Sequence, residues 1–327
     1  MPKAARVLLV LVLSSLLCPA LRADQDIPLS RLSSLGVVLQ RCMLNVLSPD
    51  GGLLLVQQKT SDTGRIRKGL VYDLLAFRFK DGKLLRVDRI PLPMREYEQI
   101  ALADSGKEAL IMGHRGALLV LADLEKKTAR VVWKHTKGVP GFRCEGLMWF
   151  RDGRYYAVGY SYDERAVALG DDMVVIDPHQ SGPGMFRKVM DVGKLMTSIP
   201  GPVSLRVFDS PDAVYYIYWD PKARKTRLEA YWNGKKTPLN EADLIPTFAC
   251  HGGRVLHDTR SLEKKTIETL IQDVPTGKKW VLAKGIPYTY YFVSEKVATG
   301  TLRLSPNGTA YAFMNPRGIH WGQIPPR

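Results

Sequence analysis

The decapeptide Leu47–Val56, LSPDGGLLLV, joins a tight turn to an apolar run, and Leu304–Phe313 repeats it as LSPNGTAYAF. Proline presets φ, Asp or Asn hydrogen-bonds its own backbone, and glycine reaches positive φ without steric cost, so each stretch predicts a turn that enters a β-strand. Weaker copies lie at Ala103–Met112, Phe150–Val158, Asp209–Tyr218 and Cys250–Asp258. The chain therefore contains six copies of one turn-and-strand unit.

A second turn motif follows each copy of the first. It is an Asp or Asn that closes a strand, at Asp81, Asp123, Asp177, Asp220, Asp273 and Asn315. At Asp220 and Asn315 we expect it after the second strand of a unit, and elsewhere after the third. Units of about fifty residues with up to four short strands predict a six-bladed β-propeller of four-stranded antiparallel blades.

The last unit is short, because only Gly318–Ile324 follows its second motif. We expect the N-terminal segment Leu35–Gln40 to supply the missing outer strand and to close the ring, which gives one propeller domain over residues 24–327. A β-sandwich or a pair of smaller β domains is the alternative fold. The best candidate for a helix is a short turn near Asn240–Leu244.

The two strongest copies, LSPDGGLLLV and LSPNGTAYAF, resemble the PD40 repeat of TolB-like six-bladed propellers, a WD40-like repeat. In that family an S-P-D-G turn precedes the second strand of a blade. The resemblance implies the propeller architecture, which serves proteins of many functions. Family members are often periplasmic, so the resemblance also implies an extracytoplasmic protein.

The first residues have the pattern of a secretory signal peptide, which we place at residues 1–23. Lys3 and Arg6 precede the apolar run Val7–Leu17, which is too short for a membrane-spanning helix. Cleavage after Ala20 or Ala23 fits the small residues there. An uncleaved anchor and a lipoprotein modified at Cys18 are the alternatives. The sequence thus predicts a periplasmic or secreted protein that does not span the membrane after signal removal.

The composition, with 45% hydrophobic and 24% charged residues over 327 positions, excludes a disordered or collagen-like chain. The formal charge is +15, and removal of Lys3, Arg6 and Arg22 leaves +12. Such a surface attracts anionic lipid, glycan or nucleic acid, but export argues against nucleic acid. The densest basic stretches, at 65–68, 222–225 and 264–265, are far apart in sequence, and we expect them in solvated hairpin loops.

Three cysteines remain after signal removal: Cys42, Cys144 and Cys250. An odd number excludes a fully paired monomer, and without a C-x-x-C motif there is no sign of a zinc or redox centre. We expect three buried thiols, with one long-range disulfide plus a free thiol as the alternative. The histidines are expected to be solvated or hydrogen-bonded, and the abundant tyrosines and tryptophans to pack between blades or to form a platform on one face.

Catalytic motifs are missing from the sequence. The nearest approach to a G-x-S-x-G nucleophile elbow, Gly159–Asp163, lacks the second glycine, and no D-x-D-x-D-G calcium loop is present. We therefore expect no catalytic residue, no metal site and no cofactor, and a binding protein rather than an enzyme.

The innermost strands should precede each first turn, and their polar residues are candidates for the lining of the axial channel. These residues are Asn45, Glu98, Glu145, Arg206 and Arg303. They are expected to form a structural polar plug or to hold a ligand. The function predicted is an exported, monomeric binding or scaffold protein of the cell envelope or periplasm, with an envelope protein, peptide or glycan on an end face or at the channel mouth. The alternative is a lactonase-type propeller hydrolase with Ca²⁺ in the channel.

Overall fold

The chain forms six four-stranded antiparallel sheets in a computed structural model. The structure describes residues 25–327 except 82, 96–98, 115, 136–140, 163–167, 192–202, 211–212, 233–234, 244, 246–247, 288–301, 306 and 316–317. The predicted signal peptide, residues 1–23, lies outside the described residues. None of the described helices is long and apolar enough to cross a membrane.

The strands follow one another along the whole described chain. They are β1 (Gln25–Pro28), β2 (Cys42–Leu47), β3 (Leu53–Lys59), β4 (Tyr72–Lys80), β5 (Lys83–Leu92), β6 (Gln99–Leu102), β7 (Glu108–Gly113), β8 (Leu118–Asp123), β9 (Thr128–Lys134), β10 (Gly141–Arg151), β11 (Arg154–Tyr162), β12 (Ala168–Ile176), β13 (Phe186–Asp191), β14 (Val203–Ser210), β15 (Ala213–Asp220), β16 (Lys225–Trp232), β17 (Lys235–Ala242), β18 (Phe248–His251), β19 (Arg254–Ser261), β20 (Thr266–Asp273), β21 (Lys279–Pro287), β22 (Leu302–Leu304), β23 (Ala310–Asn315) and β24 (Gly318–Gln323). The helices are α1 (Leu29–Ser34) and α2 (Thr63–Arg67), with 3₁₀ turns at Leu39–Arg41 and Gly182–Met185.

Each sheet is one blade of a propeller. Blades 1 to 5 are β2–β5, β6–β9, β10–β13, β14–β17 and β18–β21, and blade 6 is β22–β24 with β1 on its outer edge. The innermost strands contact one another in a closed ring, in the order β2, β6, β10, β14, β18, β22 and back to β2. Buried apolar clusters fill the interfaces between blades 6 and 1, 1 and 2, 2 and 3, 4 and 5, and 5 and 6. The predicted propeller is confirmed, and the sandwich alternative is wrong.

The first turn motif connects the first and second strands of every blade, as predicted. In blade 1 the Ser48 hydroxyl accepts a hydrogen bond from the Leu53 N–H (2.8 Å), and the Asp50 carboxylate accepts one from the Gly52 N–H (2.9 Å). Ser305 plays the same part in blade 6, where its hydroxyl accepts from the Ala310 N–H (2.9 Å). The serine and acid of the motif thus satisfy backbone donors at the start of the second strand.

The second motif also lies where the sequence places it. Asp81, Asp123, Asp177 and Asp273 separate third and fourth strands, whereas Asp220 and Asn315 separate second and third strands. The carboxylate of Asp123 accepts hydrogen bonds from the N–H groups of Glu125 (3.1 Å) and Lys126 (2.8 Å), which closes the turn.

The ring is closed by an N-terminal strand, but by an earlier segment than predicted. β1 pairs with β24, from Gln25 opposite Trp321 to Pro28 opposite Gly318. The predicted segment Leu35–Gln40 instead ends α1. There the Gly36 N–H bonds the Ser33 carbonyl and the Val37 N–H bonds the Leu32 carbonyl, both at 3.0 Å, in the pattern of a Schellman cap. This cap turns the backbone out of an extended course. The helix predicted near Asn240–Leu244 is also wrong, since β17 continues to Ala242.

The connections between strands divide the ring into two ends. Turns from first to second and from third to fourth strands lie at one end, which we call the first-turn end. Connections from second to third strands, and from each blade to the next, lie at the other, which we call the crossover end. The first turns of blades 6 and 1 meet directly, because the Asn307 side-chain amide donates to the Pro49 carbonyl (2.9 Å).

A buried ionic clasp joins blade 5 to the C-terminal residues at the first-turn end. Arg254, which is 3% exposed, donates to the fully buried Asp273 (3.2 Å), to the Gly308 carbonyl (2.6 Å) and to the Pro325 carbonyl (2.7 Å). Arg327 donates to the same oxygen of Asp273 (2.8 Å). The clasp therefore holds the chain end and blade 6 against blade 5.

Candidate functional site

The axial channel is surrounded by innermost strands, several of which are bulged. In β2 the register with β3 shifts between Leu44 and Val46, so that Asn45 stands outside the ladder. The Asn45 side chain is buried, and its amide donates to the Met43 carbonyl (3.1 Å). A bulge frees backbone groups from the ladder, so the Asn45 carbonyl is available to a neighbouring blade.

Arg303 of β22 uses that carbonyl. Its Nε donates to the Asn45 carbonyl, and its Nη1 donates to the Leu302 carbonyl at 2.5 Å. Two of the five predicted channel residues, Asn45 and Arg303, are thus brought together across the junction of blades 6 and 1. This junction fits the predicted polar plug, because the guanidinium is bonded to backbone oxygens of both blades.

A second polar link joins blades 2 and 3. The register of β10 shifts between Cys144 and Met148, and Glu145 lies within this bulge. The Met148 N–H donates to the side-chain oxygen of Gln99, the first residue of β6, at 2.6 Å. Gln99 was not predicted as a channel residue, because its hydrogen-bond partner, the Met148 N–H, lies at the end of a bulge in β10 that the sequence does not indicate. Polar groups therefore tie innermost strands together at two junctions.

The remaining predicted channel residues fall wholly or partly outside the described residues. Glu98 lies outside them, and for Glu145 and Arg206 only the backbone is described, in β10 and β14. A calcium site requires converging oxygen ligands. The described channel groups do not fit one, because the Asn45 carbonyl is bonded by the Arg303 guanidinium, whose charge repels a cation. No group of three His, Cys, Asp or Glu able to hold a metal ion occurs within the described part.

A groove between blades 4 and 5 was not predicted from the sequence. Its cavity volume is about 390 Å³, and it runs along the flank of the ring from the crossover end. The blade 4 wall comes from the ends of β16 and β17, and the blade 5 wall from β19, β20 and β21. The lining residues are Lys225, Asn240, Glu241, Ala242, Asp243, Thr259, Arg260, Ser261, Glu268, Leu270, Lys279 and Val281.

One carboxylate of the groove has no counter-ion among the described residues. Asp243 accepts from Lys225 and from the Leu262 N–H (2.8 Å), and Glu241 pairs with Arg227 at 3.3 Å. The half-buried Glu268 carboxylate, in contrast, has no ion pair or hydrogen bond among the described residues. A carboxylate without a counter-ion attracts a ligand that brings a positive charge or donates a hydrogen bond, and Glu268 is such a group among the described residues.

Opposite charges stand at the two ends of this wall. Lys279 lies opposite Gln272 in the ladder between β20 and β21. Gln272 is four residues along β20 from Glu268, so the backbones of these two residues are about 13 Å apart. Leu270 and Val281, a directly paired couple, lie between them, and Val281 is 53% exposed. The blade 5 wall is therefore a short apolar strip with an anion at one end and a cation at the other.

His257 lies on the same face, in the row of Leu270 and Val281. It is fully buried, and neither ring nitrogen has a hydrogen-bond partner among the described residues. The expectation of a solvated histidine is wrong here, because His257 shares a strand face with Val255, which belongs to the buried apolar cluster between blades 4 and 5. Burial, with a smaller contribution from the Lys279 charge, lowers the pKa of His257 from 6.5 to about 3.

We expect His257 to make the fold sensitive to mild acid. Below pH 6.5 the unfolded chain takes up a proton on this ring while the folded chain does not. The free energy of unfolding therefore decreases by about 1.4 kcal/mol for each unit by which the pH is lowered. Between pH 6.5 and pH 5 the free energy of unfolding should drop by about 2 kcal/mol from this group. Urea unfolding at several pH values measures the slope. His257→Gln should remove it, and His179→Gln, at an exposed site, should keep it; an unchanged slope in His257→Gln would contradict the assignment.

The cysteines confirm the expectation of buried thiols where they are described. Cys42 and Cys250 are both buried and free, so neither forms the long-range disulfide considered as the alternative. Burial raises the pKa of the Cys42 thiol to about 12, which leaves it protonated and unreactive at neutral pH. The side chain of Cys144 lies outside the described residues.

Comparisons with known proteins agree with the fold. No family model matches the chain, and no curated protein sequence matches it either. Among solved structures, oligogalacturonate lyase from Vibrio parahaemolyticus superposes with a TM-score of 0.51 at 7% identity, over 88% of this chain and 92% of the lyase. TolB from Acinetobacter baumannii gives 0.41 at 12% identity, over 86% of this chain and 63% of TolB. Acylaminoacyl peptidase from Pyrococcus horikoshii gives 0.39 at 14%, over 84% and 43%. At such identities the likeness concerns the fold alone.

Proposed function

We propose that this six-bladed propeller is an exported binding or scaffold module of the cell envelope or periplasm. The groove between blades 4 and 5 is the observation that carries the proposal. It is concave, it opens at the crossover end, and it contains the exposed Val281 and the Glu268 carboxylate, which has no partner within the part of the chain that the structure describes. The pattern of residues 1–23 supports export, which N-terminal sequencing of the extracytoplasmic protein tests.

The ligand of this groove is an extended peptide segment, such as a loop or tail of an envelope protein. The wall between Glu268 and Lys279 spans about four residues of extended chain. Its apolar middle suits alternate side chains, and Glu268 suits a Lys or Arg of the ligand. None of the twelve lining residues is aromatic, so the groove lacks the flat ring on which a sugar would stack. A peptide is therefore favoured over a glycan.

A defined peptide tests this function. The probe is a fluorescent pentapeptide of alternating apolar and polar residues with a central lysine, and its partner probe carries norleucine at the centre. We expect the lysine peptide to bind more tightly. Glu268→Gln should weaken that binding by about tenfold or more, because a charge-assisted hydrogen bond is lost. Fluorescence anisotropy measures both affinities.

Matched variants separate the groove from the general surface charge. Glu263→Gln changes an exposed acid in the β19–β20 turn and should leave the affinity unchanged. Val281→Ser should weaken binding, and Val189→Ser, at a similarly exposed outer-strand valine, should not. The proposal fails if neither peptide binds, or if Glu263→Gln and Glu268→Gln have equal effects.

A further inference from the structure

The three densest basic stretches of the sequence lie at the same end of the ring. Residues 65–68 belong to the β3–β4 connection, 222–225 to the β15–β16 connection and 264–265 to the β19–β20 connection. All three join second to third strands, so all lie at the crossover end, in blades 1, 4 and 5. The stretches lie in connections between paired strands, as expected, and the repeat of the blades brings these connections to one end of the ring.

These three connections are strongly positive. Residues 60–71, 220–225 and 262–265 hold eight Lys or Arg and three acids, a net charge of +5. Two of the cations are paired with acids, Arg65 with Asp73 and Lys225 with Asp243. The other six have no ion pair among the described residues. They are Arg67, Lys68, Lys222, Arg224, Lys264 and Lys265.

An exposed apolar side chain accompanies each basic stretch. Ile66 of α2 is 37% exposed, Trp219 at the end of β15 is 49% exposed, and Leu262 in the β19–β20 turn is 59% exposed. Asp243 fixes the last of these turns to blade 4, because it binds both Lys225 and the Leu262 N–H. Each of the three basic stretches therefore has an exposed apolar side chain beside it at the crossover end.

The first-turn end differs from this surface. The first turns of blades 1, 2 and 3 carry exposed acids, Asp50, Asp104 and Asp152. Asp104 lies close enough to Asp152 that their repulsion adds to burial in raising the pKa of Asp104. None of the exposed large apolar residues among the described ones is in a first turn. The molecule thus has three basic, apolar-tipped connections at one end, whereas the first turns at the other end carry acids beside cations such as Lys107 and Arg154.

We infer that the crossover end docks the protein on an anionic lipid bilayer. Lys and Arg near such a surface are attracted to its phosphates, and Trp, Leu and Ile beside them enter the interfacial layer. A soluble polyanion, such as an acidic polysaccharide or a nucleic acid, would use the cations but leave Ile66, Trp219 and Leu262 in water. The apolar tips therefore favour a bilayer. This inference is independent of the peptide groove.

Vesicle flotation tests the docking surface, with residues 24–327 and equal parts of phosphatidylglycerol and phosphatidylcholine. We expect binding to these vesicles at about 0.1 M salt, weakening as salt screens the charges, and little binding to phosphatidylcholine alone. The variant Arg67→Glu/Lys222→Glu/Lys264→Glu should bind on the order of a hundredfold more weakly, since each cation contributes roughly fivefold.

The control triple variant carries the same charge change at the other end of the ring. Lys83→Glu/Lys236→Glu/Lys278→Glu alters exposed residues at the first-turn end and should retain binding within about threefold. Leu262→Ser should weaken binding severalfold, whereas Leu85→Ser, at a rim residue of equal 59% exposure, should not.

Melting curves confirm that each variant is folded before it is compared. The inference is overturned if the parent chain does not float with phosphatidylglycerol vesicles, or if the two triple variants lose equal affinity. It is also overturned if Leu262→Ser and Leu85→Ser behave alike, or if the parent chain binds a sulfated polysaccharide but no vesicles.

Discussion

Replacing Arg254 with methionine is expected to lower the free energy of unfolding by about 3 kcal/mol, because each carbonyl left without its donor costs roughly 1–3 kcal/mol. Arg254 is nearly inaccessible and bonds Asp273, the Gly308 carbonyl and the Pro325 carbonyl. Methionine fills much of the same volume but donates no hydrogen bond, so the buried Gly308 carbonyl and the partly buried Pro325 carbonyl lose their donor. Asp273 keeps Arg327 and Thr276 as partners.

Arg327→Met is the matched control for the clasp. Arg327 bonds the same carboxylate but is 45% exposed, so solvent screens its charge, and we expect a loss of about 1 kcal/mol or less. Urea unfolding at pH 7 measures both variants. A smaller loss for Arg254→Met than for Arg327→Met would show that blade 5 does not depend on the buried guanidinium.

The second large effect is expected for Gly318→Ala, which should destabilise the protein by about 3 kcal/mol. Gly318 has a φ of +153°, and a Cβ there would lie 2.1 Å from the Ile27 carbonyl oxygen of β1. That oxygen belongs to the backbone of the closing strand, so the clash is relieved only if β1 moves away from β24. The variant should therefore release the N-terminal strand first.

Limited trypsin digestion at Arg31, the basic residue in the last turn of α1, detects that release. Gly318→Ala should be cut there faster than the parent chain. Gly277→Ala is the control, because its φ of +69° is also unfavourable for alanine but nothing lies within 4 Å of the added methyl group. It should cost about 1 kcal/mol and leave digestion at Arg31 unchanged. Equal digestion of the two variants would contradict the role of Gly318 in closure.

The turns of this fold were predictable because their information is local. Ser48 and Asp50 bond backbone donors within five residues, so the motif alone indicates the turn. The closing strand was not predictable in the same way. Leu35–Gln40 has the more apolar sequence, but β1 is selected by its pairing with β24 at the other end of the chain. Pairing between strands so far apart in sequence cannot be predicted from the residues of one short segment.

The candidate site was predictable only in part. Strand order placed Asn45 and Arg303 near the axis, and the structure joins them. The groove of Glu268 was missed because its walls come from two blades and no motif links them. The basic surface was missed for a different reason, since its clusters are spread over about 200 residues of sequence and share one end only through the repeat of the blades.

The pairing of β1 with β24 has a consequence for biosynthesis. About 290 residues separate the two strands, so β1 leaves the ribosome long before its partner exists. Until β24 has been synthesised, β1 has nothing to pair with, and blade 6 is the last of the six blades to assemble. An unpaired strand that waits this long is prone to aggregate, so a holding chaperone should protect the nascent chain.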